Sequence, residues 1–129
     1  MYSFEIHPSG RFDEVIGAVT EALKAEGFGV LSDIDVAATF KAKLDIDRRP
    51  YRILGACNPM LANQAIGADP DIGLLLPCNV VVREEDDGNT TVAFMDPVAV
   101  LQLVDRPEID RLAQEVRARL QRVSAQLAG

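Results

Sequence analysis

The chain has 129 residues, of which 48% are hydrophobic and 26% charged, and its formal net charge at pH 7 is −7. A chain of this length buries roughly two thirds of its unfolded surface, so it holds a core without metal ions or disulfides. This excludes intrinsic disorder and predicts a single domain over residues 1–129. The acidic charge repels phosphate backbones and anionic lipids, and therefore argues against nucleic acid and membranes as partners.

Targeting signals are not recognisable in the sequence. Met1–Gly10 has neither the basic start nor the apolar stretch of a secretory signal. The longest apolar run, Ile72–Val82, is interrupted by polar residues and is shorter than the roughly 18 residues of a membrane span. The sequence therefore predicts a cytoplasmic protein in which Cys57 and Cys78 remain free thiols.

The first third of the chain alternates between strand and helix patterns. Tyr2–His7 alternates apolar and polar residues, which predicts a strand, and Phe28–Ser32 predicts a second one. Between them, apolar residues recur at helical spacing up to Gly27, and Ser9 is the predicted N-cap of this helix. Asp35 is predicted to cap a second helix.

The middle of the chain contains an N-cap followed by a proline. Tyr51–Ala56 is compatible with a strand and leads to Asn58, after which Pro59–Gly67 is predicted to be helical. Ile72–Leu76 predicts a further strand. After a proline kink, Cys78–Glu85 predicts another.

The last third predicts a hairpin and two helices. Asp86–Asn89 is typical of a turn, with Thr90–Met95 as the returning strand. Asp96-Pro97 repeats the cap-and-proline pattern and predicts a short helix, and Pro107–Leu127 predicts a long amphipathic one. Together these elements predict an α+β fold of two layers, in which helices pack on one face of a curved, largely antiparallel sheet.

Residue types exclude several kinds of catalysis. His7 is the only histidine, and no serine has the sequence context of a nucleophile elbow, which argues against a serine hydrolase. The glycine motifs of phosphate loops and dinucleotide sites are absent. The cysteines lack the paired spacing of a zinc site, so we predict neither a metal nor a cofactor.

Two Cys-Asn segments, Cys57-Asn58 and Cys78-Asn79, are the positive candidates for a site. Cys57 directly precedes a predicted helix N-terminus, whose dipole and free backbone donors are expected to lower the pKa of the thiol. In the alternative interpretation both cysteines are packing residues, and Asn58 and Asp96 only cap helices. If Cys57, Cys78 and Asp96 lie together, the adjacent helix N-termini offer donors to a polar or anionic ligand.

A family resemblance rests on these segments. Six stretches resemble the Domain of Unknown Function 302 family over nearly the whole chain, namely Tyr51–Pro59, Leu61–Ala62, Ile72–Val80, Gly27–Val30, Ile34–Asp35 and Asp96–Pro97. The resemblance implies a compact two-layer α/β domain with a curved antiparallel sheet of the TATA-binding-protein-like kind, often met as a homodimer. It implies no established activity, and a topology shared with a DNA-binding protein does not carry over to function.

Three functions remain open at this point, and whether the protein is an enzyme is open with them. The first is a small-ligand-binding module with a pocket near Cys57, Asn58, Cys78, Asn79 and Asp96. The second is a thiol-based redox enzyme or sensor, in which Cys57 is the reactive thiolate and Cys78 resolves it.

The third function is a structural or protein-interaction module that acts through a dimer surface and the long C-terminal helix. The polar face of that helix carries four arginines, Arg111, Arg117, Arg119 and Arg122. We interpret this cluster as a solvated helix face, because the overall acidic charge and the lack of interleaved aromatic residues argue against a nucleic-acid stripe.

Overall fold

The computed structural model describes residues 1–128. The strands in this part of the chain are β1 (Ser3–Ile6), β2 (Gly29–Asp35), β3 (Tyr51–Cys57), β4 (Cys78–Glu84) and β5 (Thr90–Met95). The α-helices there are α1 (Phe12–Ala25), α2 (Val36–Leu44), α3 (Pro59–Ala68), α4 (Pro97–Leu101) and α5 (Pro107–Ala128). A 3-10 helix spans Pro70–Leu75.

The strands form an open antiparallel sheet in the order β1-β5-β4-β3-β2. From β2 to β5 each strand pairs with the next one along the chain, and β1 adds at the far edge, where Phe4 lies opposite Phe94. The predicted α+β class, with helices packed against a largely antiparallel sheet, is confirmed.

The main core lies between one face of the sheet and the helices α1 and α5. The period-two alternation of β4 and β5 sends Val80, Val82, Val92 and Phe94 to this face, and all four are fully buried. Each such side chain contributes roughly 1.5–3 kcal/mol of transfer free energy to folding. Helical spacing brings matching apolar residues from α1 and α5, namely Val15, Val19, Leu23, Val116, Leu120 and Val123.

A second, smaller apolar cluster joins α3, the 3-10 helix, α4 and the first half of α5. Its buried members are Ala65, Ile72, Leu101, Ile109 and Ala113. Because α5 contributes to both clusters, it connects the end of the sheet that carries α3 to the main core.

Three helices begin with an acidic or amide cap followed by proline. Asn58, Asp69 and Asp96 each accept a hydrogen bond from a backbone N–H two or three residues later. This confirms the predicted caps at Asn58 and Asp96. The predicted strand Ile72–Leu76 is wrong, because the Asp69 cap starts the 3-10 helix there and only Ile72 of the apolar run is fully buried.

The start of α1 and the end of β2 also differ from the predictions. Ser9 is not the N-cap: Gly10 has a φ of 116°, and the helix begins two residues later with Arg11 in the cap position. The Glu14 carboxylate accepts from the Arg11 backbone N–H. β2 runs on to Asp35, which caps α2 as predicted by accepting from the Ala38 N–H at 2.9 Å.

The second face of the sheet is open over much of its area. Ile34, Ile53, Val81 and Ala93 lie side by side across four strands on this face. Helix α2 contacts β3 but has no buried residue, so it stands beside this face without covering it.

Candidate functional site

A cavity of about 270 Å³ lies where the end of β3 and the start of β4 meet α3 and α5. Its lining is almost entirely apolar, and it is open to solvent on one side. The apolar side chains that form the walls include Leu61, Ala65, Leu76, Leu101, Leu112 and Val116. Cys57, Asn58 and Cys78, three of the five residues that the sequence singled out, line the same cavity.

The strand register explains why the two thiols come together. Cys57 is the last residue of β3 and Cys78 the first of β4, and Ala56 pairs directly with Cys78. Cys57 therefore lies one residue beyond that pair. Both cysteines are free thiols; Cys78 is 5% exposed, whereas Cys57 is half-buried.

Burial makes both thiols weaker acids. Desolvation raises the pKa of Cys78 from 9.0 to about 12, with a smaller contribution from the neighbouring Cys57, and desolvation also raises the pKa of Cys57. The predicted lowering of the Cys57 pKa is therefore wrong. The two groups that could stabilise a Cys57 thiolate are engaged elsewhere: the Leu61 N–H at the start of α3 donates to the Asn58 side chain, and Arg52, the cation on the same strand, is paired with Asp33.

Asn58 is held between α3 and a tight turn. Its Oδ1 accepts from the Leu61 N–H at 3.2 Å. Gly27 has a φ of 85°, and a Cβ atom there would lie 2.9 Å from Asn58 Nδ2 and 3.3 Å from Arg119 Nη1. The glycine thus lets the turn approach closely enough to fix the Asn58 side chain as a wall of the cavity.

Asn79 and Asp96 lie away from this cavity. Asn79 is exposed and points to the opposite face of β4 from Cys78. Asp96 caps α4 by accepting from the Val98 N–H at 3.0 Å, and it forms a salt bridge of 3.4 Å with Arg117. The structure therefore brings together three of the five predicted site residues and separates the other two from them.

Leu31 is a cavity residue that the sequence reasoning missed. The register of β2 against β3 shifts between Val30 and Ser32, and this β-bulge leaves Leu31 without a pairing partner. Leu31 lines the cavity, and with Ile66 it is one of two exposed apolar residues at the mouth, 70% and 47% exposed respectively. Its only sequence signal is that two consecutive apolar residues, Val30 and Leu31, break the alternation of the strand.

Three of the four arginines on α5 contact residues outside the helix. Arg117 pairs with Asp96, and Arg122 pairs with Glu26 at 3.0 Å. Arg119 donates to the Glu26 backbone carbonyl at 3.0 Å and pairs with a carboxylate on its own helix. The predicted solvated helix face therefore also links α5 to neighbouring elements, with the Arg117, Arg119 and Arg122 side chains still 41%, 30% and 56% exposed.

Residues 1–128 contain neither a cluster of metal-ligating side chains nor a membrane-spanning helix. In that range no three His, Cys, Asp or Glu side chains are grouped so as to hold a metal ion. None of the helices in the same range combines the length and apolar character needed to cross a membrane.

Comparisons with known proteins agree with the fold. The model of the domain of unknown function DUF302 matches residues 4–127. No curated protein matches the chain. The chain is similar to a solved structure described as the crystal structure of an uncharacterized conserved protein DUF302 from Bacillus stearothermophilus, with a TM-score of 0.90, 29% identity and coverage of 98% of both chains. The match extends from β1 to α5, and the chain belongs to the DUF302 family.

Proposed function

We propose that the protein binds a small apolar molecule in the cavity beside Cys57 and Cys78. The observation that carries the proposal is the cavity itself, about 270 Å³ with an almost wholly apolar lining and an open mouth. Small-molecule sites are typically apolar concavities with a few polar groups that orient the ligand. Apolar cavities of about 150 Å³ accommodate benzene, so a substituted aromatic ring or a short aliphatic chain suits this volume.

The polar groups at the cavity favour an uncharged ligand. Burial keeps both thiols neutral near pH 7, since it raises the pKa of each. Asn58 adds an amide, and none of the lining residues carries a formal charge. An ion placed there would lose its hydration without gaining a partner of opposite charge. This supports an uncharged ligand instead of the anionic one considered from the sequence.

A substitution that fills the cavity tests the proposal. Ala62 lines the cavity, whereas Ala18 is exposed on α1, so Ala62→Phe and Ala18→Phe form a matched pair. Amide NMR shifts are followed during titration with benzyl alcohol. We expect shifts at Cys57, Leu61 and Cys78, and at least about a tenfold loss of affinity in Ala62→Phe only, because the new ring occupies the ligand volume. Unchanged binding by Ala62→Phe would contradict the proposal.

The thiol-based redox function has weaker support in this geometry. A reactive cysteine needs a stabilised thiolate, and both thiols here lie in apolar surroundings that favour the protonated form.

We propose a cytoplasmic location for the protein, where the reducing environment keeps Cys57 and Cys78 as thiols beside the ligand.

A second proposal concerns association of two copies into a homodimer through the mouth of the cavity. Leu31, Ile66 and Leu74 are 70%, 47% and 86% exposed, and the first two line the cavity while Leu74 follows Gly73 of its lining. Exposed apolar residues grouped around a concavity are typical of interaction surfaces. A partner copy on this surface would close the mouth over the ligand.

Light scattering after gel filtration tests the homodimer. We expect a mass of twice the 14.0 kDa of one chain, and a shift toward one chain for Leu31→Lys, since a buried lysine at the interface lacks a partner. Leu44→Lys is the control, because Leu44 is 60% exposed at the end of α2 and does not line the cavity. A wild-type mass of one chain would overturn this proposal and leave the ligand proposal standing.

A further inference from the structure

We propose that the cleft between α2 and the open face of the sheet is a second binding site, which takes a small monoanion with a flat apolar body, such as an aromatic carboxylate or sulfonate. This site is separate from the cavity beside the cysteines and does not depend on the function proposed for it. The cleft has a volume of about 760 Å³, within the range of ligand sites.

The floor and one wall of the cleft are apolar. Ile34 and Ile53 are paired neighbours on β2 and β3 and form the floor. Val36 and Phe40, both half-buried, form the wall on α2, and Tyr51 lines the cleft at the start of β3. Since no residue of α2 is fully buried, a flat ligand between the floor and this wall would cover apolar surface on both sides.

Two of the three arginines that line the cleft are already neutralised by carboxylates. Arg49 pairs with Glu84 at 3.0 Å and with Asp86 at 3.3 Å. Arg83 pairs with Glu85 at 2.9 Å. An incoming anion would have to displace these carboxylates to bind either arginine.

Arg48 differs from the other two. Its guanidinium carbon lies 5.2 Å from the centroid of the Phe40 ring, and it forms no salt bridge within residues 1–128. The ring holds the cation at the cleft and leaves its N–H groups free to donate to a carboxylate or sulfonate.

The balance of charges sets the ligand class. Arg48 offers one cation without a carboxylate partner, whereas Glu84 and Asp86 line the same cleft and repel further negative charge. A single anionic group is therefore favoured over a polyanion such as a nucleic-acid backbone. The apolar floor and the aromatic side chains favour a flat hydrophobic body attached to that group.

Three naphthalene probes of different charge test this site in the intact chain. Amide NMR shifts are followed with 1-naphthalenesulfonate, with the uncharged 1-naphthalenemethanol and with the cationic 1-naphthylmethylammonium. We expect the sulfonate to shift residues of α2 and residues 48–53, and to bind about tenfold more tightly than the cation. Arg48→Gln should remove about tenfold of the sulfonate affinity, and Phe40→Leu should also weaken it.

Arg111→Gln is the matched control, because Arg111 lies on α5 outside the cleft. The Arg111→Gln variant should bind 1-naphthalenesulfonate with the same affinity as the wild type. Equal affinities for the three probes, unchanged sulfonate binding in Arg48→Gln, or shifts confined to the cavity around Cys57 and Cys78 would each overturn the second site. The benzyl alcohol titration of the first cavity is a separate measurement, so failure of the second site does not entail failure of the first.

Discussion

Cys78 should be alkylated by iodoacetamide at pH 7 at least about thirty times more slowly than the same residue in the unfolded chain. Burial raises its pKa from 9.0 to about 12, which lowers the thiolate population at pH 7 about a thousandfold. The higher nucleophilicity of a more basic thiolate recovers roughly one order of magnitude of this loss. Because Cys78 is only 5% exposed, the reagent also has limited access to the thiol, which slows the reaction further.

Cys57 provides the comparison within the same molecule. Its pKa is also raised by burial, but the residue is only half-buried, so it should react faster than Cys78 and more slowly than in the unfolded chain. Mass spectrometry resolves the two sites. A Cys57 that reacts faster in the folded than in the unfolded protein would contradict the desolvation argument and favour the redox function.

The raised pKa of Cys78 also makes the folded state less stable at alkaline pH. The folded state holds Cys78 in the neutral form, and its pKa lies above that of the unfolded chain. The stability contributed by this difference is complete below about pH 9 and is lost as the pH rises from there toward about 12. A Cys78→Ala variant should lose this part of the alkaline dependence.

Gly55→Val should lower the free energy of unfolding by about 3 kcal/mol, and the melting temperature by roughly 10 °C. Gly55 is buried in the middle of the sheet, where a Cβ atom would collide with the Ser32 hydroxyl and lie 2.9 Å from Pro77 Cγ. Pro77 also lines the cavity beside the cysteines, so the displaced ring should weaken benzyl alcohol binding. Thermal unfolding and the NMR titration measure the two effects.

Gly17→Ala is the control for this substitution, and its expected effect has the opposite sign. No atom lies within 4 Å of a Cβ at Gly17, in the middle of α1, and alanine should stabilise that helix by about 1 kcal/mol. Ser32→Gly combined with Gly55→Val should recover part of the lost stability, because it removes one of the two collisions. No recovery in the double variant would show that Ser32 contributes nothing to the constraint.

Local signals in the sequence predict much of the fold. The hairpin of β4 and β5 follows from alternation around Asp86–Asn89, and the starts of α3 and α4 follow from Asn58-Pro59 and Asp96-Pro97. Asp69-Pro70 has the same cap-and-proline form and starts the 3-10 helix. This third example predicts a helix start where the apolar run Ile72–Leu76 alone predicts a strand. Short apolar runs do not distinguish strand from helix by periodicity alone.

The candidate site depends on contacts between distant parts of the chain, which local patterns do not contain. The position of Cys57 before a helix N-terminus predicts a lowered pKa for its thiol. The opposite shift arises because the thiol lies in a cavity lined by Leu112 and Val116 of α5. Likewise, Leu31 reaches the cavity mouth only through the shift in register between β2 and β3. Such shifts depend on the paired strand and not on the sequence of one strand.

The strand order determines when β1 can join the sheet during synthesis. Among the five strands of the described sheet β1 is translated first, yet its partner β5 is complete only when Met95 has left the ribosome. The strands from β2 to β5 can form their hairpins in succession as they emerge, because each pairs with its neighbour in the chain. Helix α1 contacts β2 and β4 and can pack on them as they form, whereas Phe4 stays without its partner Phe94 until β5 is complete.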